Sequence, residues 1–331
     1  MDRIRFAVVG TNWITGALVA AGRTVDGFEV VAVHSRSADT GQRFADNHGI
    51  PRVHTSLASL AADNEIDAVY IASPNSLHAE QAILMLRAGK HVLVEKPLGA
   101  NVREVHDMAA AAARADRILM EAYVSPWEPN IDSIGAGLRA LGQLRRVVLV
   151  KDQYSSRYDR LKSGELPNAF NPEFAAGSLM DLGFYGIALS VLLFGTPSSV
   201  HASGLMLPSG VDGQGTVLLG YDGFEVACLH SKIAPTGLGS EIAGEDGVIT
   251  FDDCSVPTTV RRTQRGGPTT DLGREQSQDH MRYEVEHFIT CVRSGEPSPV
   301  WPVTRSLEVT RILDEARAQI GVHFPADTAM R

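Results

Sequence analysis

In the first third of the chain, short unbroken apolar runs alternate with amphipathic stretches, and this alternation constrains the fold more than any other feature. Arg5-Phe6-Ala7-Val8-Val9 reads as a buried strand and Phe28 to Val33 as the next, with a helix from Ile14 to Arg23 between them. Ala38 to His48 reads as a second helix, followed by a short strand at Val53 after a Gly-Ile-Pro turn. Ala68 to Ala72 is another apolar run, followed by a helical stretch from Ser76 to Ala88. His91 to Val94 and Ile118 to Glu121 complete the series, with a helix from Val102 to Ala115 between them. Strands with no polar alternation need cover on both faces, and the intervening helices can supply it, so the pattern predicts a parallel sheet.

The rhythm changes after Tyr123. Pro126 and Pro129 break the pattern, and a helix is expected from Pro129 to Leu141. Val- and Leu-rich strands follow at Arg146 to Tyr154, Val200 to Leu207, Thr216 to Gly220 and Phe224 to His230, with Gly223 turning the last two into a hairpin. Further short strands are expected at Ser240 to Ala243, Val248 to Phe251 and Thr258 to Arg262, and Thr263 to Ser277 reads as a polar loop. Two helices, His280 to Ser294 and Ser306 to Ile320, close the pattern. At 331 residues a single core is too small a plan. The expected division is a nucleotide-binding domain over 1–122 and a substrate-binding α+β domain over 123–331, whose C-terminal helix is a candidate for packing back on the first.

Composition removes several function classes. A net charge of -9 argues against nonspecific binding to nucleic acid or to an anionic membrane. Three cysteines, Cys228, Cys254 and Cys291, are too few and too scattered for a disulfide framework or a metal site. There is no leader-like apolar region at the N-terminus and no apolar run approaching bilayer length, so a soluble cytoplasmic protein is expected.

Three constellations carry chemistry. Gly10-Thr11-Asn12-Trp13-Ile14-Thr15-Gly16 follows the first strand, where a glycine-bearing turn and a helix N-terminus can face a pyrophosphate. The match to G-x-G-x-x-G is incomplete: Asn12 stands at the second glycine, a residue that tolerates left-handed geometry, and Thr15 at the third, with a hydroxyl for phosphate. The same turn occurs as an ordinary strand-to-helix connection, and the motif alone does not separate the two. At the end of the second strand, where an acid would accept from the ribose 2′-OH of NAD, the chain has Ser35-Arg36-Ser37. An arginine and two hydroxyls suit a 2′-phosphate, which favours NADP while leaving NAD possible, and Arg36 as a solvated surface charge is the alternative.

The second constellation joins two strand ends. Ser73-Pro74-Asn75-Ser76-Leu77-His78 offers Asn75 and His78 to a cofactor, although His78 satisfied by neighbouring backbone is equally open. Glu95-Lys96-Pro97 places a carboxylate and an amine outside the carboxyl end of a strand, where open α/β sheets bind ligands, and the X-Pro bond restrains Lys96. The third is Gly177 to Tyr185, opening an apolar helix that runs to Phe194. Ser178 is the expected N-cap, and Asp181 and Tyr185, four apart, share a face. Gly183 inside a helix costs about 1 kcal/mol relative to Ala and suggests close approach by a backbone or ligand. A phenol with a pKa of about 10 is a weak base near neutrality unless a cation is close, and Lys96 could supply one. A buried tyrosine bonded to Asp181 is the structural alternative.

Taken together, these segments resemble the Gfo/Idh/MocA oxidoreductases. The resemblance runs through Ala-Val-Val-Gly-Thr, 73–78, Ala-Gly-Lys-His-Val-Leu-Val-Glu-Lys-Pro at 88–97, Glu121-Ala122-Tyr123, 177–185 and Ser-Pro-Val at 298–300. It implies an α/β N-terminal Rossmann domain with a parallel sheet, and a C-terminal α+β domain with a large, mostly antiparallel open sheet. Tyr185 resembles the tyrosine branch of the family, which includes glucose-fructose oxidoreductase, NADP-dependent xylose dehydrogenases and dihydrodiol dehydrogenases. The implied activity is hydride transfer between NADP(H) and a sugar, polyol or vicinal diol, with Lys96, Asp181 and Tyr185 as catalytic residues. The implied cofactor set is Gly10, Thr11, Asn12, Trp13, Ile14, Ser35, Arg36, Ser37, Ser73, Pro74, Asn75, His78, Glu95 and Lys96, with no metal. Between the first strand of the second sheet and the Asp/Tyr helix, Tyr154, Arg157, Tyr158, Phe170 and Asn171 are candidates for substrate contact. Val124-Ser125-Pro126-Trp127-Glu128-Pro129 departs from the Arg and His that many relatives in this branch carry. A homodimer or homotetramer through the second sheet is expected. A non-catalytic cofactor sensor and an NAD-dependent glycoside hydrolase are the alternatives on this fold.

Overall fold

The computed structural model describes residues 3–328. In chain order it contains β1 (Ile4–Val9), α1 (Trp13–Gly22), β2 (Phe28–His34), α2 (Ala38–His48), β3 (Arg52–His54), α3 (Leu57–Ala61), β4 (Ala68–Ile71), α4 (His78–Arg87), β5 (His91–Glu95), α5 (Val102–Ala115) and β6 (Leu119–Ala122). It continues with α6 (Pro129–Gly137), β7 (Leu144–Asp152), α7 (Tyr158–Lys162), a π-helical turn (Leu179–Gly183) running into α8 (Phe184–Phe194), β8 (Ser199–Met206), β9 (Asp212–Tyr221) and β10 (Phe224–Ser231). The last elements are β11 (Ser240–Gly244), β12 (Gly247–Phe251), β13 (Val260–Gln264), β14 (Thr269–Asp271), α9 (Met281–Ser294), α10 (Val303–Ile320) and α11 (Pro325–Thr328). Two compact units result. The first comprises the chain up to Val124 together with Ser277–Ser306, and the second Ser125–Gln276 together with the chain from Leu307 onward.

The first unit is a six-stranded sheet in the order β3-β2-β1-β4-β5-β6, every pairing parallel. Ala7, Val8, Tyr70 and Leu93 are wholly buried in its middle strands, as continuous apolar runs require. The order reverses direction between β1 and β4, and ligands of open α/β sheets bind at such a crevice, outside the strand carboxyl ends. α9 returns to this unit and packs on α1, with Phe288 5.8 Å from Phe6 between ring centroids.

The second unit is an eight-stranded sheet in the order β14-β13-β12-β11-β7-β10-β9-β8. Only β7 and β10 run parallel. Two expectations are corrected here. The stretch read as a polar loop contains β14 and the end of β13; this edge hairpin is solvent-facing, with Thr263 and Thr269 hydroxyls 2.9 Å apart, so it shows no apolar alternation. The helical stretch Pro172–Phe194 is long and apolar enough to cross a bilayer, against the expectation of no such run, but 72% of its most apolar window is buried inside the protein. It is the core helix of the second unit.

In the first unit, Glu121 at the end of β6 is wholly buried and collects three donors. Its Oε1 accepts from the Leu98 backbone N–H at 2.6 Å, and its Oε2 from Trp301 Nε1 at 2.9 Å and Ser306 Oγ at 2.7 Å. Burial raises its carboxyl above the usual range, and the three donors oppose that rise. Glu121→Ala orphans all three, and buried unsatisfied donors cost about 1–3 kcal/mol each. We expect Glu121→Ala to lose at least about 3 kcal/mol in urea unfolding; a loss below about 1 kcal/mol would show that these bonds are replaced by water.

Candidate active site

The candidate residues of the first unit lie at the carboxyl ends of its strands. Gly10 leaves β1 at φ +107°, and a Cβ there would stand 2.9 Å from the Ala72 carbonyl oxygen, so only glycine lets the turn close against β4. Asn12 caps α1: its Oδ1 accepts from Thr15 N at 3.0 Å and Thr15 Oγ1 at 3.1 Å, and its Nδ2 donates to Ala72 O at 2.7 Å. Asn12 is therefore extended, at φ -87°, and not left-handed. The Thr15 hydroxyl is buried and spent on Asn12, so it is unavailable to phosphate. α1 has no acidic residue in its first turn, which leaves its positive end uncompensated. Thr11 and Ile14 are half-buried beside it, and Trp13 is 71% exposed.

At the end of β2, Ser35 is buried and its Oγ accepts from Ser37 N at 3.3 Å, while Ser37 caps α2 through Thr40 N. Arg36 stands exposed between them. Past β4, Ser73 Oγ donates to Gln81 Oε1 at 2.8 Å, and Pro74 and Asn75 form a half-buried turn. His78 is corrected from cofactor ligand to structural tie. Its ring is fully buried, with Nδ1 3.0 Å from Pro97 O and Nε2 2.9 Å from Ser73 O, which leaves no ring atom for a ligand. Burial holds its pKa low even though both carbonyls favour a protonated ring. Glu95 Oε1 accepts from Tyr70 OH at 2.6 Å, the Lys96–Pro97 bond is cis, and Lys96 is half-buried.

The candidate residues of the second unit centre on the π-helical turn. From Ala175 to Val191 every residue is buried except Asp181 and Tyr185. Ser178 is helical and makes no cap; instead Asp212, at the start of β9, accepts from Leu179 N at 2.7 Å. Ser178 Oγ lies 3.0 Å from His230 Nδ1, and His230 Nδ1 lies 3.8 Å from Asp212 Oδ2. Gly177 is required here, since a Cβ would meet Asp212 Oδ1 at 2.4 Å. A Cβ at Gly183 would stand 2.9 Å from Leu179 Cδ1 and 3.0 Å from the His230 ring, so side chains, not a backbone, make the close approach.

Two lysines reach the accessible pair. Lys232 Nζ, from a side chain only 6% exposed, lies 2.7 Å from Asp181 Oδ2 and 5.6 Å from the Phe170 ring centroid. Lys151, near the end of β7, lies 5.4 Å from the Tyr185 ring centroid. An aromatic run joins this place to α7: Phe170 is 5.8 Å from Tyr158, and Tyr158 is 5.7 Å from Tyr154. Tyr154 OH donates to Asp159 Oδ1 at 2.7 Å and accepts from Lys162 Nζ at 2.9 Å. Phe170 is wholly buried and thus supports the site from beneath without facing a substrate. Asn171 accepts from Glu173 N at 3.0 Å, and Arg157 is exposed. Sequence reasoning missed Lys151, Lys232, Asp212 and His230. The available signal was polar residues at the ends of apolar strands, in Val-Lys-Asp at 150–152 and His-Ser-Lys at 230–232.

One unit carries a parallel sheet of this order, with a glycine turn and an exposed arginine at its carboxyl edge, and the other a helix presenting a carboxylate and a phenol; the chain is an NAD(P)-dependent oxidoreductase. The chain matches the description "Oxidoreductase family, NAD-binding Rossmann fold" over residues 4–123 and the C-terminal domain of the same family over residues 139–250. It belongs to the Gfo/Idh/MocA family. It is 43% identical to scyllo-inositol 2-dehydrogenase (NADP(+)) IolU of Bacillus subtilis, over 98% of this chain and 100% of that protein. It is 33% identical to rabbit (Oryctolagus cuniculus) trans-1,2-dihydrobenzene-1,2-diol dehydrogenase, over 97% of this chain and 99% of that one. The crystal structure of a 3-ketoreductase from Actinomadura kijaniata, in complex with NADP and TDP-benzene, shares the fold at a TM-score of 0.85 and 23% identity, covering 96% of this chain and 98% of that one.

Burial pushes the Asp212 carboxyl up to about 6, from 3.8, with Leu179 N–H pulling the other way. The folded state then binds more protons than the unfolded chain between those values, so this group's contribution to stability falls as pH rises through them. Asp212→Asn removes the titration. The unfolding free energy of the variant minus that of wild type should rise by up to about 3 kcal/mol from about pH 4 to pH 6, then level off. A difference that stays flat over that window would show that Asp212 is ionised throughout.

Proposed function

We propose that the protein is an NADP(H)-dependent oxidoreductase that moves hydride between nicotinamide and a sugar, polyol or vicinal diol. The observation that carries this reading is that, from Ala175 to Val191, only Asp181 and Tyr185 are not buried, with Asp181 held by Lys232. A core helix that surfaces one carboxylate and one phenol offers an acceptor and a proton-transfer group to neighbouring hydroxyls. The B. subtilis relative is named for scyllo-inositol and the rabbit relative for a trans-diol, and both compounds carry adjacent hydroxyls.

The residues of the first unit fit the cofactor. The Gly10 turn, which a Cβ would fill, and the uncompensated end of α1 suit a pyrophosphate. Arg36 suits a 2′-phosphate through charge-assisted hydrogen bonds, with no acid at the end of β2 to repel it. When bound, the nicotinamide accepts hydride from a carbinol carbon or returns it to a carbonyl. In the oxidative direction Tyr185 takes the hydroxyl proton, and Asp181 accepts a hydrogen bond from the adjacent hydroxyl. Lys96 orients the reacting hydroxyl and favours the phenolate; its role is carried over from the family resemblance. Two hydrogen bonds to a vicinal pair fix the C–H that reacts, which is the source of the advantage over a simple alcohol.

General acid–base catalysis is worth about 10²–10⁴-fold. With scyllo-inositol and NADP⁺, Tyr185→Phe should lose turnover on that scale and still quench on NADPH binding as wild type does. Wild-type turnover by the variant would remove Tyr185 from the chemistry. Arg36→Ala should weaken NADP⁺ binding about tenfold to a hundredfold in fluorescence titration and leave NAD⁺ binding unchanged. Equal weakening for both cofactors would place the 2′-phosphate elsewhere.

A further inference from the structure

A second cation lies against Tyr185, and sequence reasoning assigned it no part. Lys151 Nζ lies 5.4 Å from the Tyr185 ring centroid, within the range of a cation–π contact, and its side chain is 18% exposed. The ammonium is held in place: Nζ donates to Asp253 Oδ2 at 2.5 Å and to Ser255 Oγ at 2.7 Å. Asp253 is itself fixed, its Oδ1 accepting from Ser255 N and Ser255 Oγ at 2.6 Å and from Val256 N at 3.2 Å. A lysine so clamped cannot swing toward solvent, and its charge stays beside the ring.

We infer that Lys151 is a positioning residue for Tyr185, holding a cation against the ring so that the phenolate forms more readily, with Asp253 moderating its strength. The inference rests on the role proposed for Tyr185. An ammonium is attracted to the face of a phenol and more strongly to that of a phenolate, so it stabilises the ionised form. Asp253, bonded to the far side of the pair, opposes that effect in part.

The ionisable groups on the π-helical turn and on β10 are not cations. Asp181, on the π-helical turn, is anionic and compensated by Lys232 beyond β10. His230 on β10 is kept neutral, its pKa pushed down by burial to about 3. Cys228, also on β10, is kept protonated by burial, its pKa pushed up to about 12.

The test reads Tyr185 ionisation directly, without turnover. The near-ultraviolet phenolate titration of Tyr185→Phe is subtracted from that of each protein carrying Tyr185. Lys151→Met should raise the Tyr185 midpoint by about one pH unit, and Asp253→Asn should lower it by a smaller amount. Opposite shifts establish the electrostatic role. A midpoint unmoved in both variants, with only the melting temperature changed, would overturn it and leave Lys151 as packing. If Lys151→Met fails to fold, Asp253→Asn decides alone: the opposing charge is gone, the amide oxygen can keep the Ser255 and Val256 N–H groups, and Ser255 Oγ still accepts from Lys151. The activity of Tyr185→Phe judges the proposed function separately, so the two readings can fail independently.

Discussion

The Glu121 carboxylate is the tie on which the first unit's share of the site depends. It is buried at the end of β6 and draws together Leu98, Trp301 and Ser306, from segments about two hundred residues apart in the chain. The strand end bearing Lys96 is thereby fixed on both sides. Glu95 before it is bonded to Tyr70, Leu98 after it to Glu121, and Pro97 O to His78. An amine on a free loop would sample many positions; here the backbone around Lys96 has little freedom. Buried polar groups are costly unless fully paired, and the three partners of Glu121 are what make its burial tolerable.

The second unit uses the same device with a different carboxylate. Asp212 is wholly buried and accepts from Leu179 N, where a helix would ordinarily rely on a serine or threonine cap. The π-helical turn then advances the chain more slowly than an α-helix, with His230 lying against Gly183. Asp212, His230 and Ser178 thus set the register in which Asp181 and Tyr185 emerge. In both units a buried carboxylate fixes backbone close to a group proposed to meet the substrate.

Much of this was legible in the sequence, for identifiable reasons. β1, β2, β4 and β5 are buried on both faces, so their apolar runs carry their own signature, and the motifs at their carboxyl ends followed from the topology. Asp181 and Tyr185 were singled out by their spacing of four, and Gly183 by its cost inside a helix, where the Leu179 and His230 side chains crowd it. What escaped depends on tertiary contact. The β13–β14 edge hairpin is polar because solvent covers it. No local preference separates a π-turn from an α-turn. Lys151 and Lys232 lie about thirty-five and fifty residues from their partners Tyr185 and Asp181, so only the folded sheet brings them together. Asn12 was read as a tolerant substitute for glycine, whereas its side chain supplies two acceptor contacts and a donor that glycine could not.

The contrast between the two lysines of the second unit suggests how such a site divides its work. Lys232 is bonded directly to Asp181 and so holds that carboxylate in one orientation. Lys151 gives its hydrogen bonds to Asp253 and Ser255 and meets Tyr185 only through the ring face. A direct bond from an ammonium to the phenolic oxygen would stabilise the phenolate more strongly but would occupy the oxygen proposed to exchange a proton. Contact through the ring does not itself occupy that oxygen. On the proposed reading, one cation acts on the acceptor's oxygen and the other on the phenol's face, so each group has its own lysine.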